Sequence, residues 1–156
     1  MKRYFEIKSY LDFDKTHFYT IHEDGAGFNE TDAFFLRFKD DPAYQKDIET
    51  IKYWIEKIGK EFGSRERYFR PEKKAYAIPI PPPKSNLRLY CHRINDQIVI
   101  LGNGGIKSSQ SAQKSPDAFP HFEVMNTVAF VTQMKLQKQE WSISEKNISG
   151  NLKFFI

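Results

Sequence analysis

The chain has 156 residues, of which 40% are hydrophobic and 15% aromatic, and its formal net charge is +4. This length and composition predict a single domain over residues 1–156 with a sizeable buried core. The mild basic excess suits an anionic partner without requiring one. Cys91 is the single cysteine, so an internal disulfide is excluded and a reducing compartment is expected. The chain shows no signal-like start and no apolar run of roughly 20 residues, which predicts a cytoplasmic protein without membrane contacts.

The first part of the chain predicts two strands and then two helices. Residues 3–11 and 16–23 are rich in β-favouring side chains, which indicates a hairpin or two edge strands. Asn29 is positioned to cap a short helix. Pro42 opens a longer helix, and Gly63 ends it. The apolar residues of these helices recur at helical spacing: they are Phe34, Phe35 and Phe38, and then Ile48, Ile51, Ile55, Ile58 and Phe62.

A basic segment follows this helix stop. Residues 65–74 contain five cations and two aromatic side chains. Residues 79–83 are four prolines and one isoleucine. Because proline lacks the N–H donor that a sheet interior requires, we interpret this run as an extended connector.

The stretch 87–107 predicts two adjoining strands. Two sets of residues alternate in the first strand: Leu87, Leu89 and Cys91, and Arg88, Tyr90 and His92. The strand period of two places the apolar set on one face and the polar set on the other, with Cys91 as a core thiol. Asn95 and Asp96 supply the turn, and a β-favouring run follows. The glycines of residues 102–105 predict the end of the second strand and a turn beside Lys107.

The last part of the chain predicts a loop, a helix and a strand. Residues 108–115 are polar and precede Pro116, and residues 151–156 are suited to a final strand. The apolar face of the helix, which extends to about residue 138, is formed by Phe122, Met125, Ala129, Thr132 and Leu136. The whole pattern predicts an α+β fold with a small antiparallel central sheet and helices on one face.

Several familiar site types are not supported. The glycine-rich turn lacks the spacing of a phosphate-binding loop or a dinucleotide fingerprint. His17 and His22, next to Glu23 and Asp24, fit no closed zinc arrangement, so we interpret them as solvated strand ends. No serine, histidine and acid combination has a recognisable nucleophile context, and His121 is expected at the surface. We predict neither a metal nor a cofactor.

A basic and aromatic constellation remains, formed by Arg65, Arg67, Arg70, Arg88, Tyr90, His92 and Lys107. RNA can be cleaved without metal when its own 2′-hydroxyl attacks the adjacent phosphate. This reaction needs a base, an acid for the leaving oxygen, and fixed cations against the pentavalent intermediate. Arginine and lysine supply such cations, and tyrosine or histidine can transfer protons. The alternative is that these residues are exposed strand positions and a solvated charged loop.

The segment LRLYCHRINDQIVILGNGGIKSSQS at residues 87–111, followed by a proline and a helix, resembles the RelE/HigB-type toxins of bacterial toxin–antitoxin pairs. The resemblance is strongest to the phage-derived HigB-like branch of the RelE/ParE superfamily. That branch has a strand with arginine and aromatic residues, a turn, an apolar strand, a lysine-containing loop and a helix. The similarity covers residues 17–138, with its specific part at 65–116, and leaves additions at both ends.

This resemblance implies a compact sheet packed on two helices and a toxin that cuts ribosome-bound messenger RNA. Arg88 and Tyr90 match polar positions of the first hairpin strand, and Lys107 matches the basic position after the second. We therefore expect a metal-independent endoribonuclease in which Arg88 and Lys107 stabilise the phosphate. Tyr90 or His92 is expected to transfer the proton. The residues expected to track RNA are Arg65, Arg67 and Arg70.

The resemblance also implies partners: a cognate antitoxin of the helix-turn-helix type, the ribosome and its messenger RNA. The chain departs from the family at its end, where the apolar NLKFFI replaces the basic or aromatic groups of many members. The alternative from another class is a non-catalytic binding module. Such a module would be a ParE-like topoisomerase inhibitor or a protein-interaction domain with the toxin fold.

Overall fold

Strands and helices follow one another in the computed structural model, which describes residues 2–78 and 85–156. The strands before the connector are β1 (Tyr4–Asp12), β2 (His17–Glu23), β3 (Arg70–Glu72) and β4 (Ala75–Ile78). The strands after it are β5 (Leu87–Arg93), β6 (Ile98–Ile106), β7 (Trp141–Ser144), β8 (Asn147–Gly150) and β9 (Lys153–Phe155). The α-helices are α1 (Glu30–Phe38), α2 (Gln45–Lys57) and α3 (Phe119–Gln137).

Seven strands form one sheet in the order β3-β4-β5-β6-β2-β1-β9, and β7 and β8 form a separate hairpin. The predicted hairpin of β1 and β2 and the predicted final strand β9 are confirmed. The prediction of an antiparallel sheet is wrong at one pair, because β2 and β6 are parallel. Two helices and three strands intervene between them, and this long crossover returns the chain in the same direction.

Helices pack on both faces of the sheet, so the prediction of helices on one face is wrong. Ile51 of α2 is buried on the side that also holds Leu89 and Cys91. Met125 of α3 is buried on the opposite side, together with Tyr90. The predicted alternation within β5 is therefore confirmed, but α3 covers its polar face. An aromatic ring such as that of Tyr90 still gains from burial of its apolar area, which favours this second layer.

The predicted cap of α1 is confirmed, whereas α2 begins later than predicted. The Asn29 side chain accepts a hydrogen bond from the Asp32 backbone N–H, which satisfies one of the free donors of the first helical turn. Residues 42–44 form a turn, and the helix proper starts at Gln45. Pro42 thus initiates the turn that leads into the helix.

The end of the second helical segment is a single π-helical turn, Ile58–Phe62. It stops at Gly63, whose φ of 77° lies in the left-handed region that favours glycine. Ile58 is buried as predicted, but Phe62 is 37% exposed. The wider π turn changes the helical period by one residue, which moves Phe62 off the buried stripe.

The second strand of the predicted hairpin does not end at its glycines. β6 continues through residues 102–105, so the predicted turn there is wrong. A Cβ atom on Gly104 would lie 1.8 Å from the carbonyl oxygen of Arg88, and one on Gly102 would lie 2.4 Å from the sulfur of Met125. The glycines therefore permit close packing of β6 against β5 and α3.

Two short strand pairs complete the fold without a clear sequence signal. β3 and β4 extend the sheet beyond β5. The β7–β8 hairpin packs Trp141 and Ile148 into the core on the α3 side. The predicted connector at 79–83 lies outside the described residues. Among the described helices, none has the length and apolar character needed to cross a membrane.

Candidate functional site

Four of the seven predicted site residues meet around β5, toward the β3 edge of the sheet. Arg70 lies on β3, Arg88 and Tyr90 lie on β5, and Lys107 directly follows β6. The charges of Arg70 and Glu72 both act on Arg88, and Glu72 contacts the ammonium group of Lys107. We call these five residues the cationic cluster. It carries three cations against one carboxylate, so it has a local positive excess.

Glu72 and Lys107 form the ion pair of this cluster. The Lys107 Nζ donates to Glu72 Oε1 at 3.1 Å, and the two side chains are only 12% and 11% exposed. Such a pair is screened much less than one at the surface. Glu72 is not predicted from the sequence, where its only signal is an acid within a basic segment. The strand order sets its partner, because it brings the last residue of β3 close to the residue that follows β6.

Arg88 is a buried cation whose direct hydrogen bonds go to carbonyl groups. Its Nη1 donates to the carbonyl oxygens of Ser85 at 2.6 Å and Leu87 at 3.0 Å, and its Nε has no partner among the described residues. Burial lowers the pKa of Arg88, and the neighbouring Arg70 lowers it further. No carboxylate of the described residues contacts Arg88. The sequence between Glu72 and Asp96 contains no aspartate or glutamate. The guanidinium thus has no carboxylate of the described residues in contact, although the charges of Glu72 and Asp47 act on it from a longer distance and oppose the lowering of its pKa.

Tyr90 lies entirely inside the protein. Its ring packs edge-on against Phe122 of α3 with 5.7 Å between the ring centroids. Its hydroxyl group is buried and has no hydrogen-bond partner among the described residues. Burial raises the pKa of Tyr90, and the carboxylate of Glu72 raises it further. The phenol is therefore protonated at neutral pH, and its raised pKa makes it a weaker acid than an exposed tyrosine.

His92 is the third member of the polar face of β5. Burial lowers the pKa of His92 to about 4, and the charge of Arg93 contributes in the same direction. Its Nδ1 atom is buried without a hydrogen-bond partner among the described residues. The same holds for the hydroxyl group of Thr132, on the buried face of α3. The polar face of β5 thus lies beneath α3 with several polar atoms unpaired, which is unusual in a settled core.

The other two predicted RNA-binding arginines lie elsewhere. Both are exposed. Arg65 precedes the 3₁₀ turn Glu66–Tyr68, and Arg67 lies within that turn. The Arg67 Nη2 donates to the Tyr68 hydroxyl at 3.1 Å, and the Tyr68 ring stacks on Phe62 with 4.9 Å between centroids. The structure therefore separates Arg65 and Arg67, on the α2 side, from Arg70, on the α3 side.

The histidines set aside as metal ligands have structural partners. His17 is buried and bonds the Ser9 hydroxyl at 2.7 Å and the Lys146 carbonyl at 2.9 Å, so the prediction of a solvated strand end is wrong for it. The His22 ring bonds the Ala26 carbonyl. His121 is half-buried rather than at the surface, and burial lowers its pKa. In the part of the chain that the structure describes, no group of three potential metal-ligating side chains occurs.

The cationic cluster can bind an anion, and the phenol of Tyr90 belongs to it. The imidazole of His92 lies four residues from Arg88 along β5, about 13 Å at roughly 3.3 Å per residue. Three cations, a protonated phenol and an unprotonated imidazole share one face of the sheet. Comparisons with protein-family models, with curated proteins and with solved structures found no match to this chain.

Proposed function

We propose that this protein is the toxin of a type II toxin–antitoxin system and cleaves ribosome-bound messenger RNA without metal. The observation that supports this most directly is the buried guanidinium of Arg88, which contacts no carboxylate among the described residues. A buried charge is costly unless it is paired. A phosphate group of RNA would supply the missing partner, and bidentate binding of phosphate is the typical use of arginine.

The other cations of the cluster support the same role. Lys107 is paired with Glu72, and Arg70 lies on the same side of the sheet as Arg88. A phosphate bound at Arg88 would therefore meet a second arginine and a lysine whose carboxylate partner it can replace. Fixed cations of this kind stabilise the extra negative charge of a pentavalent phosphorus intermediate.

While α3 is packed, burial makes the Tyr90 phenol a weak acid and the His92 imidazole a weak base. In our proposal, movement of α3 exposes both groups and returns their pKa values toward the ordinary range, in which they can carry out the two proton transfers of RNA cleavage. In our proposal the 2′-hydroxyl oxygen attacks the phosphorus while its proton passes to the neutral imidazole of His92. The bond from phosphorus to the 5′-oxygen then breaks, and that oxygen takes the proton of the Tyr90 hydroxyl. The products are a 2′,3′-cyclic phosphate and a 5′-hydroxyl end, so no metal and no water enter this step.

Access to these groups requires movement of α3. Tyr90 is fully buried against Phe122, and RNA cannot reach its hydroxyl while the helix is packed on the sheet. The unpaired polar atoms of β5 and Thr132 weaken this interface, because each unsatisfied buried group costs about 1–3 kcal/mol. We propose that the ribosome or the RNA displaces α3 during action in the cytoplasm. A helix-turn-helix antitoxin is the proposed inhibitor.

Growth after induced expression tests this function. Wild-type protein should arrest growth, and the Arg88→Ala, Lys107→Ala double variant should relieve the arrest at matched protein level. The control is Lys114→Ala, Lys138→Ala, which removes the same charge from exposed positions and should remain toxic. Equal growth for the wild type and the Arg88→Ala, Lys107→Ala variant would remove the nuclease proposal.

The full burial of Tyr90 favours a second candidate function. In this alternative the cationic cluster is structural, α3 stays packed, and the protein is a non-catalytic module that binds a topoisomerase or another protein. Arrest of growth by wild-type protein and by the Arg88→Ala, Lys107→Ala variant alike would support this candidate. Absence of any arrest would leave only a protein-interaction role of this kind.

A further inference from the structure

The end of the sheet opposite the cationic cluster carries an open surface on the α1–α2 side. Tyr4 of β1 and Phe155 of β9 are directly paired across the two strands. Each side chain is 53% exposed, and their ring centroids are 6.0 Å apart. Phe5 and Phe154, the neighbours that point to the other face, are buried in the core on the α3 side. The exposed pair is therefore not required to close the core.

This open surface is concave and lies next to several cations. The cavity has a volume of about 490 Å³, and Tyr4, Phe155, Lys8 and Lys153 are among its lining residues. The ammonium group of Lys2 lies over the Phe155 ring, 4.3 Å from its centroid, so this flexible side chain has to swing aside before a flat group can stack on that face. We call the surface formed by these five residues the aromatic platform. Two adjacent aromatic rings with lysines beside them are suited to a chain of flat aromatic groups that are joined by anionic linkages.

Carboxylates near the platform are mostly paired. Glu23 accepts two hydrogen bonds from the guanidinium of Arg3, at 2.8 and 2.9 Å. Glu6 lies 4.0 Å from the ammonium group of Lys8. Glu6 is also directly paired with Lys153 across β1 and β9, and Asp24 lines the same cavity. With Glu23 balanced by Arg3, the three lysines of the platform against Glu6 and Asp24 leave a net charge of +1, which is a small excess for an anionic ligand.

We propose that the aromatic platform binds single-stranded RNA, with bases stacked on Tyr4 and Phe155 and phosphates near Lys2 and Lys153. Unpaired bases stack on exposed aromatic rings in proteins that bind single strands, and cations along the groove follow the backbone. Addition of a peptide strand to β9 is a poorer fit. β9 has only three residues and begins with a lysine, and both features protect a sheet edge from pairing.

The platform is separate from the cationic cluster. It lies on the opposite face, and four strand spacings separate β9 from β5, which is about 19 Å at roughly 4.8 Å per spacing. The choice of RNA as the ligand rests on the proposed function, but the geometry of the platform does not. The proposed role is to hold substrate, without contact with the cleaved bond.

Binding of a fluorescein-labelled oligouridine RNA of twelve nucleotides, measured by anisotropy at low salt, tests the proposal. The measurement is made on the wild-type chain with 2′-O-methyl groups on the probe, because the proposed cleavage needs a free 2′-hydroxyl and such a probe is not consumed. Adding Tyr4→Ala and Phe155→Ala should weaken binding at least tenfold. The matched control adds Phe28→Ala and Tyr53→Ala, which remove side chains that are 58% and 53% exposed elsewhere, and it should bind as its parent does.

Two further arms make the result decisive. Lys2→Gln with Lys153→Gln should flatten the dependence of log affinity on log salt by about 1.4, since each phosphate contact to a single strand contributes about 0.7. The same sequence in DNA should bind with similar affinity, because base stacking and phosphate contacts do not need the 2′-hydroxyl. Equal affinity of the Tyr4→Ala, Phe155→Ala variant and its control, or no binding by the parent, would overturn the platform. Failure of the cleavage proposal instead appears as unchanged growth arrest in the cluster variant.

Discussion

The two ends of the sheet differ in how their polar and aromatic side chains are covered. Around β5, toward the β3 edge, charged and proton-transferring groups lie under α3, where solvent and ligands have little access. At the β9 end, aromatic rings and lysines are exposed on a face that α1 and α2 leave open. Strand alternation assigns a residue to one face of a sheet, but the helix packed there decides whether that face is a core or a surface.

The largest expected effect on stability comes from the ion pair of the cationic cluster. Glu72→Ala leaves the buried ammonium group of Lys107 unpaired, so the free energy of unfolding should fall by about 3 kcal/mol. Urea denaturation measures this change. Glu61→Ala is the control, because its partner Lys57 sits in an exposed i,i+4 pair, and it should cause little or no change. Equal small losses for both variants would mean that the cluster is solvated.

The buried imidazole of His92 predicts a pH dependence. Its pKa is lowered from 6.5 to about 4 in the folded chain, so below pH 6.5 the unfolded chain takes up the proton first. Stability should be complete above pH 6.5 and should fall by up to about 1.4 kcal/mol per pH unit down to about pH 4.

Urea midpoints between pH 4 and 7.5 measure this slope. His92→Gln should lose this part of the slope while other acid-sensitive groups keep theirs. Identical slopes for the variant and the wild type would show that α3 does not exclude water from His92. The two ends of the sheet would then be similarly accessible.

Cys91 tests the apolar face of β5. The thiol is fully buried among apolar side chains, and burial raises its pKa, so it is an inert core group. Cys91→Ser should lower stability by about 1–2 kcal/mol and leave toxicity intact in the folded fraction. Loss of toxicity in fully folded protein would instead assign the thiol a part in the chemistry.

The smallest expected effect on stability is at the aromatic platform. Tyr4→Ala and Phe155→Ala should each change the free energy of unfolding by no more than about 0.5 kcal/mol, as is usual for exposed positions. Thermal or urea unfolding checks this. A loss several times larger would show that the rings hold β9 on the sheet, and the exposed end would then be structural.

Local patterns predicted the longer strands and the helices, but not the short strands β3, β4, β7 and β8. The alternation around Cys91, the cap at Asn29 and the stop at Gly63 depend on neighbours in sequence, and all three are confirmed. The prediction of a turn at the glycines of β6 is wrong because their close contacts come from other elements. Arg88 lies on β5 and Met125 on α3, and neither is a neighbour in sequence. A cluster of glycines is found both where the backbone turns and where two elements pack closely, so the sequence alone does not distinguish the two cases.

Long-range arrangement was beyond these patterns. The parallel pairing of β2 with β6 and the placement of α3 opposite α2 depend on the order of strands. The cationic cluster was found in part, because Arg70, Arg88, Tyr90 and Lys107 carry a chemical signal of their own. Its acid, Glu72, and the separation of Arg65 and Arg67 from it follow from the path of the chain into and through β3. The aromatic platform was missed because its two rings are 151 positions apart, at Tyr4 and Phe155.

Mapping of transcript 5′ ends after brief induction tests most directly whether the cationic cluster cleaves RNA. Wild-type protein should create new 5′-hydroxyl ends within translated messages. The Arg88→Ala, Lys107→Ala variant at the same protein level should create none, while the Lys114→Ala, Lys138→Ala control should match the wild type. Absence of new ends with wild-type protein, or the same ends with the cluster variant, would contradict a nuclease site at this end of the sheet.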